Sequence, residues 1–385
     1  MIDNEYLLDD RRYLFRQMAD TLRAFVRENP DADLLNMGVG DVVMPVAPVV
    51  AYAIRQASYD LQSQLSFRGY PPTEGYDFAR EAVRRYYADM GAAVRTEDIC
   101  IGAGAKDELS VWNRVIDADI PALIVAPAYP VYVDSARLVG RRVRFVRAAA
   151  DDYPVPDGVD RRPYLIYLCS PNNPTGQTYP ADVLRRWVQY ARESNSIILF
   201  DAAYASFAYP YTITSIEGAA ETCVEIGTLS KCASFSGLRF GWSIIGEKLL
   251  GGTARKAYLK YKSTATNGVS YVVQRAAESA LSEEGVRYAK GLIGGYKYSA
   301  KIIAEALQRE GYDCRTGAYL WLKLPEKIEN PFEYFLQKSR VVVTDGAGFG
   351  EGGDGYVRLS VFSVGGREEE AADRLLTALR GIQPR

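Results

Sequence analysis

What most restricts how this chain can fold is a series of short apolar runs, each separated from the next by an amphipathic stretch or a polar loop. The runs are Ala122 to Val125, Val143 to Val146, Tyr164 to Cys169, Ile197 to Phe200, Cys223 to Ile226 and Trp242 to Ile245. They are strand-length and do not alternate with polar residues, so both faces of each strand must be covered. Helices supply the cover. In 182–193, Val183, Leu184, Trp187, Val188 and Ala191 share one face, and 75–90 repeats at the same helical spacing. The pattern predicts an α/β fold whose large domain, over 46–281, has three layers with a mostly parallel sheet in the middle.

A chain of 385 residues exceeds what one core ordinarily serves, and the remainder reads as a second, smaller α+β domain. Over 282–385 the spacing predicts helices at 286–310 and 368–379 and strands at 319–324, 340–344 and 356–362. The segment 1–45 is an N-terminal arm that joins this small domain. Its 11–28 stretch is an amphipathic helix with Leu14, Phe15, Met18, Leu22 and Phe25 on one face, and Gly38 to Pro48 is a loop.

Histidine is absent from the sequence. Ser-His-Asp and Cys-His nucleophile systems and His-ligated metals are therefore excluded, and proton transfer must use Lys, Asp, Glu, Tyr, Cys or a cofactor. No metal site is expected. The net charge of −2 offers no basic footprint for nucleic acid or an anionic membrane. No run approaches the ~20 apolar residues of a membrane span, and the polar, acidic start lacks a signal sequence. Five scattered cysteines without a CxxC pair fit a reducing cytoplasm.

In doubly wound sheets, ligands sit beyond the carboxyl ends of the strands, and four polar clusters follow predicted strands here. They are Gly102-Ala-Gly104-Ala105-Lys106-Asp107, Ser170-Pro-Asn-Asn173-Pro-Thr-Gly176, Asp201-Ala-Ala-Tyr204, and Thr228-Leu-Ser230-Lys231 with Arg239 eight positions on. Each alone has a plain reading as a turn, a helix cap or a surface charge. Together, in this order, they match what pyridoxal phosphate requires of a protein. Lys231 supplies an amine, and Asp201 a carboxylate for the ring nitrogen. Asn173 and Tyr204 would donate to the phenolic oxygen, and Tyr132 would lie on the ring face. Gly104 and Ala105 open the start of a helix to a phosphate, with Ser230 and Arg239 as further donors. Asn173 or Arg358 would take a substrate carboxylate.

These blocks resemble the fold-type I, class I/II aminotransferases, and among them the LL-diaminopimelate aminotransferases, over nearly the whole length. RRYLF, NMGVGD (36–41), FRGY, GYDFAR, GAGAKD, YPVYVDS, YLCSPNNPTG, ILFDAAY, TLSK, NGVSYVVQRAAE and GYVRLSVF carry the resemblance. It implies Lys231 as Schiff-base lysine and proton shuttle, Asp201 on the pyridine nitrogen, and Asn173 and Tyr204 on the phenolic oxygen. It implies Tyr132 as the stacking ring, and Ala105, Lys106, Ser230 and Arg239 around phosphate and neighbouring substrate groups. Arg358 would bind the α-carboxylate, with Gly40 also at the substrate. The family shares its sites across a homodimer, which implies Tyr70, Tyr13 and Asn267 in the pocket, Tyr70 and Tyr13 from the second chain.

The sequence also departs from the family. Thr73 stands where an acid faces the distal ammonium of the diamino diacid, with Glu74 one place late. Cys232-Ala-Ser-Phe replaces Thr-Ala-Gly-Phe, and Thr316-Gly-Ala replaces Asn-Ala-Pro, whereas Lys106, which in the family meets the distal carboxylate, is kept. The reading is therefore an aminotransferase exchanging the amino group between an amino acid and a 2-keto acid, with an altered substrate pocket. One alternative is elimination, replacement, carbon–carbon bond formation or oxidation on the same cofactor in specialised biosynthesis. Another is a non-catalytic sensor, which the lack of a DNA-binding extension disfavours.

Overall fold

The computed structural model describes residues 5–8, 13–147, 153–208, 210, 212–326 and 328–382. Arg11 and Arg12, the start of the expected first helix and of the RRYLF block, lie outside the described residues. The short strand β1 (Leu35–Asn36) precedes a seven-stranded sheet. That sheet comprises β2 (Ile99–Gly102), β3 (Ala122–Ala126), β4 (Val143–Arg147), β5 (Leu165–Cys169), β6 (Ile197–Asp201), β7 (Cys223–Thr228) and β8 (Gly241–Ile245). The spatial order is β2-β8-β7-β6-β5-β3-β4. Strands β3 to β7 are parallel, and β8 runs against both of its neighbours. Every residue of β3, β5, β6, β7 and β8 is buried, which is why those runs carry no polar alternation. The first strand, Ile99–Gly102, is not among the apolar runs of the sequence. Four residues ending in glycine carry little pattern, and pairing with β8 recruits them.

Helices cover the sheet. The helix Ala181–Glu193 buries Val183, Leu184, Trp187, Val188 and Ala191 on one side, as its spacing predicts. On the other side, Ala105–Val115 buries Leu109, Val111 and Trp112. The far end of that helix is closed by Arg141, 2% exposed. Its guanidinium donates to the carbonyls of Asn113 (2.9 Å), Ile116 (2.9 Å), Asp117 (2.7 Å) and Ile120, so the helix's unpaired terminal acceptors meet a buried cation.

A four-stranded antiparallel sheet, in the order β12-β13-β10-β9, lies in the C-terminal part. Its strands are β9 (Cys314–Arg315), β10 (Leu320–Lys323), β12 (Thr344–Asp345) and β13 (Tyr356–Leu359). The single strand expected over 340–344 is in fact two. β11 (Val341–Val342) pairs in parallel with β1, while β12 joins β13, so the chain changes sheets at Val343. The helix Leu14–Glu28 packs Met18 and Phe25 against Phe332, Leu336 and Val342, uniting the N-terminal arm with the C-terminal part. The 27-residue helix Glu283–Arg309 begins where Ser282 accepts a hydrogen bond from the Gly285 amide. Among the described residues, no helix is long and apolar enough to cross a membrane.

Candidate active site

Parallel strands place their carboxyl ends on one side of a sheet. Asp201 is the last residue of β6, Thr228 the last of β7, and Ser170 follows β5. Together with the start of the helix Ala105–Val115 and with β13, these strand ends surround a cavity of about 470 Å³.

Asp201 forms part of the wall and is 4% exposed. Its Oδ2 accepts from the Tyr132 hydroxyl at 2.7 Å and its Oδ1 from the Ala203 amide at 3.0 Å. Burial pushes this carboxyl up from the usual range, and the two donors oppose the shift. No ion pair reaches Asp201 among the described residues. A buried carboxylate left in this state calls for a cation from outside the chain.

Lys231 stands across the cavity, its ammonium donating to the Gly40 carbonyl. Burial pushes the ammonium down to about 8, with Asp41 opposing and the charges of Arg358, Arg239 and Lys106 assisting. The neutral, nucleophilic amine therefore appears as pH rises through about 8, well below the ~10.4 of a free lysine. With cofactor removed, Lys231 is expected to react with an amine-selective acylating reagent along a titration curve centred near pH 8. Mass-spectrometric labelling across pH tests this, and a Lys231 curve coinciding with those of the surface lysines would contradict it.

The helix start is shaped by Gly104, whose φ of 145° lies where side chains are rarely tolerated. A Cβ there would also lie 2.6 Å from the Arg239 guanidinium. Arg239 itself has φ 65° and pairs with Asp107 at 2.8 Å. Ala105, Ser230 and Arg239 line the cavity at this end, with the Ser230 hydroxyl 2.9 Å from that of Thr228.

Opposite this cradle, Arg358 of β13 is 1% exposed. Its Nη1 donates to Asn173 Oδ1 at 2.8 Å and its Nη2 to the Gly38 carbonyl at 2.6 Å, whereas the buried Nε has no hydrogen-bond partner. The guanidinium lies against the rings of Tyr319 (4.3 Å), Phe349 (4.9 Å) and Phe15 (5.2 Å). No carboxylate neutralises it among the described residues. It is a buried cation with donor capacity to spare, the arrangement that captures an anion. Beside it the Tyr204 and Tyr319 hydroxyls are 2.6 Å apart. Gly40 passes so close that a Cβ there would lie 2.2 Å from the Tyr319 hydroxyl oxygen.

Of the residues expected from sequence, Lys231, Asp201, Tyr204, Asn173, Ala105, Lys106, Ser230, Arg239, Gly40, Arg358 and Tyr13 line this one cavity. Gly104 stands just behind its wall. Tyr132 departs from its expected place on the cofactor's face. It is 2% exposed, its hydroxyl is spent on Asp201, and its ring stacks on Tyr167 at 5.2 Å. Of the two tyrosines in YPVYVDS, it is Tyr129, three residues earlier, that lines the cavity. Tyr13 also differs from expectation. It enters this chain's own cavity, where its hydroxyl lies 3.3 Å from that of Tyr129 and its ring 4.8 Å from the Lys106 ammonium. Tyr70, 84% exposed, is not on the wall of this chain's cavity, and neither are Thr73 and Asn267. Cys232 packs into a small apolar pocket with Leu229, Ala280 and Ile293, away from the cavity.

Sequence reasoning missed Tyr129, Phe15, Asp41 and Tyr319 as wall residues. Asp41 lay within the NMGVGD block and Tyr129 opens YPVYVDS, so both were available as motif letters. Tyr319, read only as the start of a strand, carried no signal of its own.

The family described as aminotransferase class I and II matches residues 32–379. Among curated relatives, the LL-diaminopimelate aminotransferase of Methanosphaera stadtmanae is 35% identical, covering 97% of this chain and 98% of the relative. That of Lachnospira eligens is 34% identical over the same shares. Among solved structures, the L,L-diaminopimelate aminotransferase from Chlamydomonas reinhardtii superposes with a TM-score of 0.90 at 29% identity, covering 98% of this chain and 99% of that one.

Proposed function

The chain belongs to the class I and II aminotransferases, and from that premise we propose that it exchanges an amino group between an α-amino acid and a 2-keto acid with pyridoxal phosphate held at Lys231. The observation that carries the reading is the pairing of two unmet needs in one cavity. Among the described residues, Asp201 is a buried carboxylate without a cation, and Arg358 is a buried cation without an anion. A protonated pyridine nitrogen answers the first and a substrate α-carboxylate the second. The remaining residues fit the same group: Lys231 for the aldehyde, Asn173 and Tyr204 for the phenolic oxygen, and Tyr129 for the ring face. Ala105, Ser230 and Arg239 would hold the phosphate.

When bound, the cofactor supplies an electron sink for the charge left at the substrate Cα. The chain's own residues do the rest. Arg358 holds the α-carboxylate, oriented by its bond to Asn173 and kept from water by Phe15, Tyr319 and Phe349. Lys231, whose amine is neutral above about pH 8, would take the Cα proton and carry it during the exchange. Asp201 would hold the ring nitrogen of the bound cofactor, and its negative charge would favour the protonated ring.

For the substrate, the names of the curated relatives point to a diamino dicarboxylic acid, but this pocket suits a dicarboxylic amino acid without a distal ammonium. Lys106 remains at the mouth for a distal carboxylate. Glu74, the acid nearest the altered position, lies 3.7 Å from Arg255 of its own chain and is not on the cavity wall. Brought to the cavity by a second copy, Thr73 would offer a distal ammonium a hydroxyl in place of a carboxylate. A homodimer is part of the same reading. Val43, Met44, Tyr52, Tyr59, Leu65 and Tyr70 form an exposed apolar stretch that a second copy would cover, bringing Tyr70 and Asn267 to the partner's cavity. The five cysteines are all free, which suits the cytoplasm.

The test is a spectroscopic titration. Pyridoxal phosphate added to the purified chain is expected to give a lysine-bound absorption band. Glutamate or aspartate, without keto acid, is expected to discharge that band once, to the pyridoxamine form. Failure of the band to appear removes the cofactor assignment. Continued turnover without a keto acid removes transamination, and a preference for diaminopimelate over glutamate removes the altered-pocket reading.

A further inference from the structure

We propose that Tyr132 is a positioning residue for Asp201, holding one carboxylate oxygen so that the group stays ionised and faces the cavity. The proposal rests on the reading of Asp201 as the partner of the cofactor's ring nitrogen. Tyr132 lies in the helix Val131–Arg137, fully inside the protein, and does not line the cavity. What it touches is Asp201 itself, through a 2.7 Å bond from its hydroxyl to Oδ2.

Two packing contacts hold that hydroxyl in place. The Tyr132 ring stacks on Tyr167 of β5 at 5.2 Å with 25° between planes, and meets the edge of Tyr129 at 5.7 Å and 90°. A ring clamped on two sides cannot swing its hydroxyl away. The same clamp links the two tyrosines of the motif, Tyr129 on the cavity and Tyr132 behind it.

An ionised carboxylate offers about four acceptor sites. Asp201 has two protein donors among the described residues, the Tyr132 hydroxyl and the Ala203 amide. Both oppose the burial that favours its neutral form. Removing the hydroxyl halves that support. A carboxyl that takes up a proton in response no longer opposes a pyridinium, so Tyr132 acts on the cofactor only through Asp201.

The experiment compares two cofactors in Tyr132→Phe, which keeps the clamped ring. Apo wild type and variant are titrated with pyridoxal phosphate and with its 1-deaza analogue, in which C–H replaces the ring nitrogen. In wild type the natural cofactor should bind more tightly, and the ratio of the two affinities reports on the Asp201 contact. In Tyr132→Phe the ratio is expected to fall by about tenfold to a hundredfold, the weight of one charge-assisted bond. Asp201→Asn should lower it as far, and adding Tyr132→Phe to Asp201→Asn should change the ratio no further. Equal weakening of both cofactors would assign Tyr132 a merely structural role and overturn the proposal, as would an unchanged ratio. If wild type itself shows no preference, the Asp201 reading falls and this proposal with it. Thermal melting of each variant, and the Asp201→Asn pair measured alongside, keep a folding defect from passing for a positioning effect.

Discussion

Replacing Lys231 by alanine is expected to lower kcat by about 10^4-fold or more, because the same amine both anchors the cofactor and carries the Cα proton. General base catalysis alone accounts for roughly 10^2–10^4-fold, and loss of the anchor adds to it. Among the described residues, no other amine on the cavity is placed to substitute. The other cations on the cavity are Lys106, seated on the Tyr13 ring, Arg239, paired with Asp107, and Arg358, which does not give up a proton. The variant should still fold, since among the described residues the hydrogen bond lost is that from the ammonium to the Gly40 carbonyl. Single-turnover absorbance with glutamate checks the prediction, and a small primary amine in the buffer should restore part of the rate. A variant that retained a tenth of wild-type turnover and formed the same lysine-bound band would show that position 231 does not hold the cofactor.

The second large effect is on stability and lies behind the cavity. Lys262 and Glu108 form an ion pair at 2.8 Å with side chains 5% and 0% exposed. Glu108 sits on the first turn of the helix whose start forms the expected phosphate cradle. It also accepts from the Ser243 hydroxyl at 2.7 Å and from the Tyr258 hydroxyl, while Trp112 donates to Ser243 at 3.3 Å and stacks on Tyr258. Gly102 makes room, since a Cβ there would lie 1.9 Å from Glu108 Oε1. Lys262→Met removes the cation and leaves the carboxylate buried, which is expected to cost about 3–5 kcal/mol of folding stability. Glu108→Gln/Lys262→Met leaves no charge behind and should recover most of that loss. Urea unfolding of the single and double variants measures both. A single variant within about 1 kcal/mol of wild type would mean that water reaches Glu108.

Much of this site was legible in the chain. Strand ends in a parallel sheet gather on one side whatever the side chains, so the clusters at Gly104, Asn173, Asp201 and Lys231 converge once the layers are recognised. The apolar runs needed no tertiary information, because a strand buried on both faces shows it in its own letters. The substrate end was less accessible. Arg358 meets Asn173 across 185 positions, and its exposed or buried state depends on how β13 pairs with β10 and β12. Nothing local to GYVRLSVF distinguishes a surface arginine from one enclosed by three aromatic rings. The split of 340–344 into two strands was invisible for a similar reason, since a run of valines is equally suited to either sheet.

By itself the amino-acid order determined the α/β layering, the family, and which lysine and which aspartate share one cavity. These depend on period and on position at strand ends, both of which are written along one dimension. Only the tertiary structure decided which tyrosine of YPVYVDS turns to the cavity and which turns behind it to Asp201, that Glu74 is engaged by Arg255, and that Tyr13 enters its own chain's pocket. Each is a question of side-chain direction at a loop or helix start. That direction is settled by packing against residues distant in sequence, such as Tyr167 against Tyr132, and leaves no period to read.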